Sequence, residues 1–136
     1  MTQKNYSQYI EHLKGRIGSL SKEIPGSLTG FSHLHREATV PGTLDTKTKE
    51  LIAVSVAIAV HCVGCISYHV HGALAAHATR EEIIETVGLS VLMGGGPSLM
   101  YGAEALEALN EFQGASLATG SVGLRPSTRP RLRVPR

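Results

Sequence analysis

The chain has no tryptophan, only two phenylalanines and only four tyrosines among its 136 residues. A β-sandwich core draws on aromatic and β-branched strand residues, so this scarcity argues against one. Alanine, leucine, isoleucine and valine do the filling instead. With 15 glycines they suit closely packed helices. No segment alternates apolar and polar residues as a half-buried strand would, and no internal repeat is found.

Long apolar runs are also missing. The longest, Leu51 to Val60, falls well short of the roughly 20 residues that span a bilayer, so it is expected as a core helix. The opening residues, MTQKNYSQYIEHLKG, hold no apolar h-region. No export signal is therefore expected, and a cytoplasmic, reducing compartment is. Acidic residues are absent from the last twelve positions, which carry Arg125, Arg129, Arg131, Arg133 and Arg136. Without that tail the body holds 8 basic residues against 11 acidic ones. A mildly acidic body gives no basis for nucleic-acid binding.

The pattern that remains is helical. Between Asn5 and Glu23, Tyr6, Tyr9, Ile10, Leu13, Ile17 and Leu20 recur at three- and four-residue steps, and Pro25-Gly26 closes that helix. A second, shorter helix is expected from Leu28 to Ala38, carrying Phe31, His33, Leu34 and His35. Asp45 or Thr46 is placed to cap a third, which runs through Glu50 to about Val60. A fourth is expected to start at Val63-Gly64 and reach Ala78. Thr79-Arg80-Glu81-Glu82 has the capping-box form and opens a fifth. Gly94-Gly95-Gly96-Pro97 is expected to end the fifth, and Ser98 to cap a sixth. Beyond Gln113 the periodicity fails. The expected organisation is thus one all-α domain of about six helices over residues 1–113, followed by a flexible basic tail over 114–136. Apolar residues left exposed on such short helices would favour a homo-oligomer.

The chemistry concentrates in one stretch. Both cysteines of the chain form a Cys62-x-x-Cys65 pair, and His69 follows four residues after the second. At about 100° per residue, Cys62 and His69 lie roughly +60° and +40° from Cys65, so both thiols and the imidazole share one helix face. Gly72, Ala73 and Ala76 continue that face and leave room for a close neighbour. A cysteine pair at a helix start meets unpaired N–H groups and the positive end of the dipole, which favour thiolate. An imidazole one turn away can take or return the thiol proton. Glu50 is the only acidic residue between Asp45 and Glu81. On one straight helix it would sit roughly 18 Å from Cys62. A turn near His61, with the third and fourth helices antiparallel, would bring it beside His69, and a neighbouring subunit is the other route.

Thiol redox chemistry is the leading reading of these residues. Two others stay open. The cysteines can be inert small apolar residues with a packed histidine nearby. They can also bind zinc together with His69 and either Glu50 or His61. Covalent haem attachment would need histidine directly after the second cysteine, where this chain has Ile66.

The array Glu50, eleven residues, Cys62-x-x-Cys65, three residues, His69 resembles the alkyl hydroperoxidase D-like branch of the carboxymuconolactone decarboxylase family. The likeness extends over about residues 44–109. It implies an all-helical fold that assembles as trimers or hexamers and reduces hydroperoxides without a cofactor. By that pattern Cys65 attacks the peroxide, Cys62 resolves the sulfenic acid as a disulfide, and Glu50 and His69 relay protons. A dithiol such as dihydrolipoamide, or a thioredoxin-like protein, restores the pair. Decarboxylase members lack the cysteine pair. One position departs from the pattern: the histidine that precedes the second cysteine in well-known peroxidase members is Gly64 here. A disulfide reductase or redox adaptor, or a non-catalytic helical module, are the alternatives.

Overall fold

The computed structural model describes residues 4–118, with side chains described to Gly114. Every regular element among the described residues is helical: α1 (Tyr6–Glu23), α2 (Pro25–Thr39), α3 (Thr46–Ala59), α4 (Val63–Ala75) and α5 (Arg80–Ala118). The body is built from α3, α4 and α5. Its core joins Val54, Ala57 and Ile58 of α3 to Ile66, Val70 and Ala73 of α4 and Ile83, Ala105, Ala108 and Leu109 of α5. Alanines at the contacts let these backbones approach, and each fully buried Ile, Leu or Val adds about 1.5–3 kcal/mol.

Side-chain caps set most of the helix starts. Asn5 Oδ1 accepts the Gln8 amide at 2.8 Å, and Asp45 Oδ1 accepts the Thr48 amide at 2.7 Å. At α5 the capping box forms as its sequence requires: Glu82 N donates to Thr79 Oγ1 at 3.2 Å and Thr79 N donates to Glu82 Oε2 at 2.8 Å. Near the far end of α5, the Glu111 carboxylate accepts the Tyr6 and Ser7 amides at 2.6 and 2.9 Å. An anion thus neutralises the positive end of α1 and ties the first helix to the last.

Several boundaries differ from the sequence expectation, and α4 ends at Ala75, three residues before Ala78. Ile24 (φ −130°, ψ 57°) alone separates α1 from α2, and α2 begins at Pro25 rather than Leu28. Proline suits the first helical position, where no N–H is needed, so the residue that closes α1 also opens α2. The fifth and sixth expected helices form one element broken at Gly95 (φ 68°, ψ −153°). Only glycine adopts that conformation without strain, and Pro97 follows where its missing N–H costs little. Ser98 does not act as a cap: its Oγ is buried without a hydrogen-bond partner among the described residues, packed closely against Gly94. Past Gln113, α5 continues to Ala118. The rest of the expected basic tail lies outside the described residues.

Half-buried carboxylates and a buried phenol tie the fold to pH. The Lys47 ammonium, bonded at 2.8 Å, and the Thr79 amide hold Glu82 below the usual carboxylate range. Burial opposes ionisation of Glu104, yet bonds from Lys4 and Tyr6 still hold it low. Burial likewise opposes ionisation of Glu111, and the Ser7 and Tyr6 amides outweigh it. Burial, then the Glu104 and Glu107 carboxylates, push the Tyr6 phenol up. A depressed carboxylate stabilises the fold above its unfolded pKa and loses that contribution as pH falls. A raised phenol stabilises below its unfolded pKa and loses it as pH rises. The melting temperature is therefore expected to be flat near neutrality, to fall below about pH 4.3 and to fall again above about pH 10. Calorimetry across that range checks it, and Tyr6→Phe should lessen the alkaline part of the fall, while the Lys47 ammonium, held up by its bond to Glu82, keeps its own share.

Candidate active site

Between α3 and α4 the chain reverses over three residues. Val60 caps α3, His61 takes φ 59°, and Cys62 precedes α4. His61 N donates to Ile58 O at 3.1 Å and Cys62 N to Ala57 O at 3.0 Å, the paired bonds of a Schellman motif. Glycine commonly fills the left-handed position. Here a histidine does, at a cost of about 1–2 kcal/mol, and its ring stacks on Tyr101 at 4.6 Å. The chain repeats the device at the end of α4 with His77 (φ 65°).

This turn makes α3 and α4 antiparallel neighbours and brings Glu50 to His69. Glu50 is 7 % exposed, and its Oε2 lies 2.8 Å from His69 Nδ1. An ionised carboxylate only accepts, so Nδ1 carries the hydrogen, and Nε2 is left as the ring nitrogen able to take a proton. The contact exists because residue 72 is glycine. A Cβ there would stand 2.6 Å from Glu50 Oε2 and 2.9 Å from its Cδ. The expected room beside Gly72 is thus taken by a carboxylate from α3.

Cys62 occupies the N-cap of α4, and its Sγ accepts the Cys65 amide at 3.2 Å. The two sulfurs are joined as a disulfide. Cys65 is exposed and Cys62 half-buried, while Tyr9 and Leu13 of α1 approach Gly64 between them. Joined sulfurs offer no thiolate to a metal in this state, and no group of three or more His, Cys, Asp or Glu side chains able to hold one occurs among the described residues. Of the four residues singled out in the sequence, Glu50 of α3 meets His69 of α4, while Cys62 and Cys65 stand at the start of α4. His69 sits one turn below Cys65, and Glu50 reaches the array through His69 rather than through a sulfur.

A cavity of about 400 Å³ opens beside the Glu50–Gly72 contact, walled by Ile10, Tyr68 and Phe112 with Lys14 at its edge. Neither cysteine is among the described residues that line it. It gives solvent a route to the buried carboxylate away from the sulfurs. Sequence reasoning passed over one neighbour, His35 of α2, whose ring lies 6.4 Å from that of His69. No spacing rule links residues 35 and 69, so only the packing of α2 could show it.

The family model for carboxymuconolactone decarboxylases matches residues 25–129, more than half of the chain. The chain belongs to the carboxymuconolactone decarboxylase family. Among curated relatives, an uncharacterised protein of Cupriavidus necator is 36 % identical over 104 residues, which covers 74 % of this chain and 92 % of that protein. An uncharacterised protein of the cox locus of Paracoccus denitrificans is 39 % identical over 99 residues, covering 73 % and 89 %. Among solved structures, a family member from Legionella pneumophila in its apo form superposes with a TM-score of 0.75. It is 50 % identical, and the match covers 79 % of this chain and 96 % of that one. A Thermotoga maritima family member superposes with a TM-score of 0.76 at 23 % identity over 85 % and 99 % of the two chains. At that identity the likeness is one of fold.

Proposed function

We propose that this family member is a cofactor-free thiol peroxidase of the alkyl hydroperoxidase D-like kind. The observation that carries the reading is a Cys-x-x-Cys disulfide at the start of α4, on the same helix as an imidazole held by a buried carboxylate. In the reduced protein His69 Nε2 takes the Cys65 thiol proton. The thiolate attacks the peroxide O–O bond, forming Cys65 sulfenic acid and an alkoxide, which leaves as the alcohol after taking a proton back from His69. Cys62 then attacks the sulfenic sulfur and releases water, which closes the disulfide and guards Cys65 from further oxidation. A dithiol reductant, dihydrolipoamide or a thioredoxin-like protein, supplies two electrons and two protons to reopen it. A reducing cytoplasm suits this cycle. An antioxidative role has been suggested for the Thermotoga protein, which shares the fold, and the cycle is in keeping with it. Dithiol-dependent consumption of a hydroperoxide by wild type, absent in Cys65→Ser, is the test.

The exposure of Cys65 also suits attack by a protein thiol, so disulfide exchange with a partner protein is a second reading. It predicts faster steady-state turnover with an oxidised protein disulfide than with any hydroperoxide.

The same reading includes assembly of identical chains, as trimers or hexamers. Ile52, Val56 and Val60 line one exposed face of α3, and Leu89, Leu92, Met93, Leu99 and Met100 are exposed along α5. The apolar part of α5 is long enough to cross a bilayer, but its Ser90, Ser98 and Leu109 side is buried in this chain and Gly95 breaks its course. A half-exposed, broken helix suits packing between copies better than a lipid surface. Sedimentation should give a mass of three or six chains, and Val56→Asp with Met93→Asp should lower it. A monomeric wild type would overturn this part.

A further inference from the structure

Helix α2 has no buried residue; Phe31 and Leu34 are 65 % and 63 % exposed. Its far end is tied to α3, where Thr46 Oγ1 donates to Thr39 O and Lys49 Nζ donates to Val40 O. Where α2 meets α4, the contact is histidine on the candidate site. The His35 ring lies edge-on to Tyr68 at 5.8 Å and stacks on His69 at 6.4 Å with 26° between planes. Tyr68 is in turn edge-on to His69 at 5.3 Å. His35 Nε2 is buried and has no hydrogen-bond partner among the described residues. A buried ring nitrogen left unused would cost about 1–3 kcal/mol. Such a group, set beside a proton-carrying ring, suggests a working role rather than packing alone.

We infer that His35 is a second imidazole of the site. It is a positioning residue that holds the ring of His69 and, through the lone pair of its unpartnered Nε2, steadies the protonated ring that accompanies a thiolate at Cys65. No bond is made or broken at His35. The Cys65 proton moves to His69, and His35 supplies only its lone pair. Its ionisable neighbours are few. Tyr68 and His69 face it from α4, with Glu50 of α3 behind His69. Lys49 of α3 is bonded to the end of α2 and Lys47 to Glu82. Lys22 and Glu23 of α1 lie at the α1–α2 junction, about 15 Å along the helix. His33, Arg36 and Glu37 are exposed on α2 itself.

The inference rests on the peroxidase reading for the role of Cys65, so its test avoids peroxide. In reduced Cys62→Ser protein, the rate at which iodoacetamide alkylates Cys65 is followed against pH, with and without a change at position 35. His35→Phe keeps a ring against Tyr68 and His69 but removes both nitrogens. His35→Ala leaves space that free imidazole can enter. His35→Phe should slow alkylation at neutral pH roughly two- to tenfold and move its midpoint to higher pH. His35→Ala should do the same, and added imidazole should restore His35→Ala but not His35→Phe. Superimposable profiles for His35 and His35→Phe would overturn the inference. So would equal slowing in both variants with an unmoved midpoint and no rescue, which is the signature of packing alone. Normal alkylation with no peroxide consumption in wild type would overturn the peroxidase reading and leave the result for His35 standing.

Discussion

Replacing Cys65 by serine is expected to reduce dithiol-dependent hydroperoxide turnover to the uncatalysed background. A serine hydroxyl stays protonated beside His69 and does not attack the O–O bond at a useful rate, whereas a thiolate does. Cys65 is also the more exposed sulfur and stands one helical turn from the imidazole. Cys62→Ser should behave differently: one peroxide is consumed per chain, and Cys65 stops as a sulfenic acid that a dione probe captures and mass spectrometry reads. With further peroxide it should advance to the sulfinic acid, because no neighbouring thiol remains to intercept it. Neither change should unfold the protein. A disulfide closing so short a loop constrains the unfolded chain by only about 2 kcal/mol. The reduced state, moreover, has to be folded for the cycle to run. Full turnover in Cys65→Ser would end the assignment. A sulfenic acid trapped on Cys62 in Cys65→Ser, together with an inert Cys62→Ser, would reverse the roles of the two sulfurs.

Gly72→Ala is expected to damage the site while sparing the fold. The new methyl would lie 2.6 Å from Glu50 Oε2, and the carboxyl group, as the end of a side chain, can swing away from it. Alanine in mid-helix gains about 0.5–1 kcal/mol over glycine. The displaced carboxylate and the ring nitrogen it leaves lose about 1–3 kcal/mol. The net loss of stability should therefore be no more than about 2.5 kcal/mol. The proton relay suffers more. Without Glu50 on Nδ1, nothing fixes which nitrogen of His69 carries the hydrogen, and turnover should fall roughly a hundredfold, the low end for a positioned acid–base group. Glu50→Gln is the comparison: it keeps the bulk, removes the charge, and should lose a similar factor without the steric conflict. Melting curves and steady-state rates on both variants give the answer. Undiminished turnover in Gly72→Ala would show that the Glu50–His69 contact is not needed for the chemistry.

Much of this arrangement is local and was therefore legible in the residues. Asp45 and the Thr79–Glu82 box act within four residues of themselves, so their caps form whatever the rest of the chain does. Cys65 and His69 stand one turn apart on α4 because a helix repeats every 3.6 residues, whereas Cys62, expected on the same face, caps that helix in extended conformation. The scarcity of aromatics and the lack of alternating strands pointed to an all-helical chain, and the described residues form helices throughout their regular structure. Misreadings came where one residue could serve two roles. Pro25 reads as a stop but is also a good first residue, and Ser98 reads as a cap although Gly95 breaks the helix by itself.

Contacts between distant residues were decided only in three dimensions. Glu50 and His69 meet because His61, rather than the usual glycine, accepts a left-handed conformation that turns α4 back along α3. His35 reaches His69 with its ring from α2, whose end two hydrogen bonds tie to the start of α3, and no periodic signal announces it. The residues by themselves determined that a cysteine pair and an imidazole fall within eight residues and that Cys65 and His69 stand one helical turn apart, since both follow from sequence and local geometry. Tertiary structure alone decided what stands next to the imidazole, since that depends on how separate helices are turned and packed.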